Sequence, residues 1–256
     1  MKIQTHYYSE RGLVNCLILW LTKESKDNSE SNIIKFLNKI EYINEKYKTK
    51  LTDKKIRSVD LFDEFSFGAF GSPDLIIKVQ TINNKFYYFM IEAKINSFEE
   101  ACSVGNDIIF KDNASKIDIQ LVLRKRFIYA LRNARDNFGD EQIQEISQDE
   151  YGYKTTNTRA LKKEELINWV KKTFRSKQSK FYYIALTNDD NNDVTSIYSS
   201  FLDKKVRKYP KNVKTRINKT EFGLIKWKDL TDLGMDNLKE TCGYTFDKAH
   251  NPFKMK

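Results

Sequence analysis

The spacing of apolar residues changes several times along the chain, and each change predicts a new element. After Ser9-Glu10-Arg11-Gly12, apolar side chains fall at Leu13, Val14, Leu17, Ile18 and Leu21. This is the i, i+3, i+4, i+7 pattern of a helix with one buried stripe. Ile33, Phe36, Leu37, Ile40 and Ile43 repeat it and predict a second helix from Ser31 to Tyr47. Val59-Asp60-Leu61-Phe62 and Phe65-Ser66-Phe67 read as strand material leading to Gly68 and Gly71. Two runs rich in β-branched and aromatic residues follow, Leu75 to Val79 and Phe86 to Ile91, with Asn83-Asn84 between them as a tight turn.

Further on, Ile117, Leu121, Arg124, Phe127 and Leu131 share one stripe of a long helix that begins near Lys116. The polar, acidic stretch from Phe138 to Thr158 reads as a loop. Leu161 to Phe174 and Val194 to Leu202 read as helices, and Phe181 to Leu186 as a buried strand. Phe222 to Trp227 reads as a late strand before a short terminal helix. Helices interleaved with strands predict an α/β fold. No repeat, linker or compositional break divides the chain, so a single domain over residues 1–256 is expected.

The predicted hairpin carries unusual polar residues at its open end. Gly71-Ser72-Pro73-Asp74 precedes the first arm, and Glu92-Ala93-Lys94 closes the second. A turn at Asn83-Asn84 sets Asp74 opposite Glu92 when centred on Asn83, and opposite Ala93 when centred between the two asparagines. In the first register the two carboxylates meet across the strands, with Cβ atoms roughly 5 Å apart. A slip of one residue turns one of them to the other face. Side chains alternate along the second arm, so Glu92 and Lys94 share a face.

Two facing carboxylates repel each other, and a hard cation removes the conflict. Mg²⁺ takes oxygen ligands and is commonly held by one or two carboxylates together with a substrate phosphate. A lysine beside it could orient or deprotonate a water, or stabilise a crowded phosphate.

Pro73-Asp74 followed by Glu92-Ala93-Lys94 resembles the signature of the PD-(D/E)xK phosphodiesterase superfamily, which includes many restriction endonucleases and repair nucleases. The resemblance implies a restriction endonuclease-like α/β core, a mixed central sheet flanked by helices, with helical and loop insertions. It implies a Mg²⁺ site, with Mn²⁺ as a possible substitute, in which Asp74 and Glu92 are ligands and Lys94 is catalytic. Members often add a helix acid beside the metal, and Glu10 matches it here. Several branches also place a glutamine on the helix after the lysine strand. Gln120 matches that role, with Arg124 one turn later as a phosphate contact. Glu24-Ser25-Lys26 fits the second half of the signature too, but it lies in a polar stretch with no strand before it.

Composition narrows the chemistry further. Only two histidines occur, His6 and His250, near opposite ends. That scarcity argues against Ser-His-Asp hydrolysis and histidine-bound zinc. There is no P-loop and no GxGxxG string. Cys16, Cys102 and Cys242 are widely separated, which supports neither a disulfide framework nor a zinc knuckle. No apolar run approaches the roughly 18 residues of a membrane span, so a cytoplasmic protein without membrane contact is expected.

The net charge of +10 suits a polyanionic partner. Local clustering points the same way. Lys204, Lys205, Arg207, Lys208, Lys211, Lys214 and Arg216 crowd a stretch without acids, and contact with nucleic-acid phosphates is expected there. The expected function is a Mg²⁺-dependent endonuclease acting on double-stranded DNA as a homodimer, in restriction or another defence role. The alternatives are a structure-specific repair nuclease, a non-specific DNA- or RNA-degrading effector, and an inactive nucleic-acid-binding protein of the same fold.

Overall fold

The computed structural model describes residues 10–22, 31–43, 45, 55–63, 72–94, 117, 120, 121, 124, 125, 128, 172–174, 178–187, 194, 221–231, 233 and 235. They build a mixed six-stranded sheet with helices on both faces. The labelled elements are α1 (Glu10–Thr22), α2 (Asn32–Asn38), β1 (Glu41–Tyr42), β2 (Ile56–Asp63), β3 (Leu75–Thr81), β4 (Phe86–Ala93), β5 (Ser179–Thr187) and β6 (Phe222–Lys226). A short helix, Trp227–Thr231, follows β6. The strands lie in the order β1-β6-β5-β4-β3-β2. β2, β3 and β4 form an antiparallel meander, whereas β5 runs parallel to β4 and β6 parallel to β5.

β4 lies inside the sheet, and seven of its eight residues are buried. That is why Tyr87 to Ile91 is an unbroken apolar run rather than an alternating one. On one face Leu75, Ile77, Phe89 and Ile91 join Leu13, Leu17, Phe36 and Ile40 of the two N-terminal helices in a single core. On the other face Tyr88 stacks on Phe181 at 4.8 Å and meets Phe174 at 5.1 Å. The described helical residues Ile117, Leu121, Arg124 and Ile128 are buried. Next to Arg124, Lys125 lies over the rings of Tyr183 and Phe222, so this helix covers the second face.

Two boundaries differ from those the sequence predicts. The second helix ends at Asn38, and Glu41-Tyr42 is a strand paired with β6. The apolar spacing continues past Asn38, but extended backbone there gains partners that a helix would forfeit. Ile43 N–H, for example, donates to the Phe222 carbonyl. Gly223 permits this approach, because a Cβ at that position would lie 2.7 Å from Ile40 Cγ2. At the other boundary β6 stops at Lys226, and Trp227 opens the short helix, where the Asp229 carboxylate accepts the Lys226 N–H at 3.1 Å.

β2 starts at Ile56 and β5 extends from Ser179 to Thr187, within a few residues of expectation, whereas Phe65-Ser66-Phe67 lies outside the described residues. Residue 194 and residues 172–174 are helical. Cys16 is a buried, reduced thiol in α1, whereas Cys102 and Cys242 lie outside the described residues. Among the described residues no helix is long and apolar enough to cross a membrane.

The buried tyrosines make stability sensitive to alkali. Burial pushes the Tyr88 hydroxyl, which donates to the Thr173 carbonyl, up from 10.0 to about 12; the neighbouring Ser179 side chain opposes the rise and the Asp60 charge adds to it. Burial likewise lifts Tyr42 above its ordinary range, with Tyr182 and Glu45 adding to the effect. Both folded-state values are raised, so the folded state holds these protons more tightly than the unfolded chain. The Tyr88 contribution is complete below pH 10 and is lost as pH rises through about 12. Urea midpoints should therefore fall between these two values, together with the appearance of phenolate absorbance. A Tyr88→Phe variant should show a shallower decline.

Candidate active site

The hairpin fixes the geometry of the site. Its loop has three residues, Ile82, Asn83 and Asn84, closed by Thr81 N–H on the Lys85 carbonyl at 3.0 Å and Asn84 N–H on the Thr81 carbonyl at 2.9 Å. Asn84 has φ of 54°, a left-handed conformation that asparagine tolerates well. This turn centres the register on Asn83. The ladder runs from Gln80↔Phe86 to Leu75↔Ile91, and one further step sets Asp74 opposite Glu92. Of the two registers open from sequence, this is the one that puts both carboxylates on one face.

Hydrogen-bonded and non-bonded pairs alternate in an antiparallel ladder. Counting from Thr81/Lys85, the bonded pairs include 75/91, and the next would be 73/93. Position 73 is a buried proline, which has no N–H to give. There the Asp74 carboxylate accepts the Ala93 N–H at 2.7 Å. One oxygen of Asp74 is thus anchored to the β4 backbone immediately after Glu92.

Glu92 is only 2% exposed. A buried carboxylate is costly unless paired, and two cations approach it. Arg124 Nη2 lies 3.1 Å from Oε2, and Lys94 Nζ lies 3.5 Å from Oε1. The same Arg124 nitrogen donates to the Ser72 carbonyl at 2.9 Å. One guanidinium therefore ties the segment before Asp74 to the carboxylate opposite it. Arg124 is itself 2% exposed. The sequence suggests a phosphate contact for it, but its observed bonds are internal.

Lys94 is pinned by its backbone on two sides. Its N–H donates to the Leu186 carbonyl at 2.8 Å, and its carbonyl accepts the Trp227 indole N–H at 3.2 Å. Gln120 sits one helical turn before Arg124, so the two side chains share a stripe. Its Oε1 is buried and has no hydrogen-bond partner.

Glu10 is the first residue of α1, whose buried stripe packs on the sheet face opposite Glu92. The Glu10 side chain lies outside the described residues. So do Lys204, Lys205, Arg207, Lys208, Lys211, Lys214 and Arg216. Among the described residues no group of three or more histidine, cysteine, aspartate or glutamate side chains is gathered to hold a metal ion.

The sequence reading misses Thr187 and Lys226. The β5–β6 register pairs them, and the β4–β5 register continues from Ala93↔Leu186 to set Lys94 beside Thr187. The three positions form a row at the carboxyl ends of the parallel strands, where ligands of open α/β sheets characteristically bind. The end of the Phe181–Leu186 run was the available sequence signal. Comparison with protein-family models, with curated proteins and with solved structures finds no match to this chain.

Proposed function

We propose that this chain is a Mg²⁺-dependent phosphodiesterase with a restriction endonuclease-like core, hydrolysing DNA in restriction or another defence role. One observation carries the reading: Asp74 and Glu92 occupy facing positions at the end of β3 and β4, with Lys94 beside Glu92. Element order supports it as well. Two helices and a short strand precede an antiparallel meander, and helical residues including Ile117, Arg124 and Ile128 come before the parallel strand β5, an order compatible with that core.

The donor set fits a hard divalent cation. Asp74 and Glu92 offer carboxylate oxygens, and Mg²⁺ needs only one or two from the protein when substrate phosphate supplies others. When bound, the ion supplies a more acidic water and neutralises charge developing on the phosphate. The chain's own residues prepare the rest. Ala93 N–H fixes the direction of Asp74, and Arg124 holds Glu92 in place. Lys94, from a backbone secured at both N–H and carbonyl, presents an ammonium to orient the attacking water or to steady the phosphate oxygens. The Gln120 amide oxygen can accept a hydrogen bond from that water. The basic run from Lys204 to Arg216 is the source of phosphate contacts away from the scissile bond, and a homodimer would bring two sites to the two DNA strands.

The test combines supercoiled plasmid, single-stranded DNA and RNA with the protein in Mg²⁺ or in EDTA, beside Asp74→Ala. Plasmid cleavage is expected with Mg²⁺ only, falling about 10²-fold or more in the variant. Equal cleavage by the variant would remove Asp74 from the site. The Arg124–Glu92 bond favours one competing reading. A Glu92 already neutralised by Arg124 and Lys94 also suits a nucleic-acid-binding protein of this fold without hydrolysis. Salt-dependent binding with no cleavage of any substrate would decide for it.

A further inference from the structure

One buried polar group beside the site has no task in this scheme. Thr187 ends β5 and is 1% exposed, yet its Oγ1 has no hydrogen-bond partner. Buried hydroxyls are normally satisfied, and an unsatisfied one calls for an explanation. Its position suggests one. The register Glu92↔Ala185 and Ala93↔Leu186 continues to Lys94 beside Thr187, and the bond from Lys94 N–H to the Leu186 carbonyl holds that alignment. Neighbouring strands lie about 4.8 Å apart, and paired residues project to one face. Thr187 therefore adjoins Lys94 on the face that carries Glu92.

Lys94 Nζ stands 3.5 Å from Glu92 Oε1, at the outer edge of a hydrogen bond. An ammonium has three donors on a flexible stem, and a threonine hydroxyl offers two acceptor lone pairs. A cation taken up by Glu92 would repel the Lys94 ammonium from its present place. Thr187 Oγ1, on the neighbouring strand, is an unsatisfied acceptor on that face.

We propose that Thr187 is a positioning residue, whose hydroxyl receives the Lys94 ammonium when a divalent cation takes the Glu92 oxygen. This rests on the phosphodiesterase reading above. Lys94 then has two stations, Glu92 without the cation and Thr187 with it. The second station keeps the ammonium beside the reacting phosphate instead of leaving it to solvent. It also explains an unpartnered hydroxyl in the cation-free arrangement.

The test uses the full chain with Thr187→Val, which removes the hydroxyl and keeps the branched shape, and Thr187→Ser, which keeps the hydroxyl. Asp74→Ala is the control for the cation site. Mn²⁺ binding is followed by the paramagnetic resonance of the free ion, thermal unfolding is recorded without cation, and plasmid cleavage is measured against Mn²⁺ concentration. Thr187→Val should unfold at or above the wild-type temperature, because it loses no hydrogen bond in the cation-free protein. Its Mn²⁺ affinity and its cleavage should each fall roughly 10-fold or more, the usual effect of losing a group that orients a metal site from behind. Thr187→Ser should stay near wild type in all three.

Wild-type Mn²⁺ affinity and cleavage in Thr187→Val would overturn the role of Thr187 and leave the phosphodiesterase reading standing. So would a Thr187→Ser defect equal to that of Thr187→Val, or a lowered unfolding temperature in Thr187→Val. Absence of Mn²⁺ binding by the wild type, indistinguishable from Asp74→Ala, would overturn both.

Discussion

Lys94→Ala is expected to slow phosphodiester cleavage about 10²–10⁴-fold, the range for removing a positioned proton donor or acceptor. Folding stability should change by only about 1 kcal/mol, within the ordinary spread for single substitutions. The asymmetry follows from what the side chain touches. Its contact with Glu92 is long, at 3.5 Å, and the side chain is 17% exposed, so little folding energy depends on it. The bonds that secure this position, to the Leu186 carbonyl and from the Trp227 indole, belong to the backbone and survive the substitution. Single-turnover cleavage rates and urea unfolding of the same preparation separate the two effects. A variant that cleaves at the wild-type rate would exclude Lys94 from the reaction. One that fails to fold would show that the ammonium is structural.

Arg124→Met should behave in the opposite manner and cost about 3–5 kcal/mol of stability, the penalty for leaving one partner of a buried ion pair uncompensated. Arg124 and Glu92 are each 2% exposed, and the guanidinium also satisfies the Ser72 carbonyl. Methionine fills similar volume but gives the Glu92 carboxylate nothing to replace that bond. The double variant Arg124→Met/Glu92→Gln removes the stranded charge and should recover a large part of the loss. The coupling in the resulting cycle isolates the pair from the packing change. Urea midpoints at an unchanged m value give the comparison. A single-variant cost below about 1 kcal/mol would mean that water reaches Glu92 and screens it as at a surface.

The two variants also distinguish what holds the site from what works in it. Arg124 joins Ser72 to Glu92, so its loss should loosen both sides of the carboxylate pair and lower cleavage through geometry. Lys94→Ala leaves that geometry in place. Cleavage by Arg124→Met should therefore recover in part at temperatures well below its unfolding transition, and cleavage by Lys94→Ala should not.

The hairpin was readable because its information is local. Two runs of β-branched and aromatic residues, a turn residue that tolerates positive φ and a proline before the first arm lie within about twenty positions of one another. They leave only two registers open. Which of these forms depends on the three-residue loop, since a loop one residue shorter or longer would carry Glu92 or Asp74 to the other face. The second helix was overread for the opposite reason. Its apolar spacing continues beyond Asn38, but pairing of Glu41 and Tyr42 with β6, about 180 residues later, outweighs local propensity.

Apolar spacing, strand-forming runs and turn chemistry alone determined an α/β chain with Asp74, Glu92 and Lys94 at one end of a hairpin. Only tertiary packing decided that Arg124 is an internal counter-charge rather than a surface contact, and that Thr187 stands beside Lys94. Those two facts depend on a helix crossing the sheet and on parallel pairing of strands about 90 residues apart. Periodicity records which way a side chain faces along its own element, and it carries no record of which distant element will meet that face.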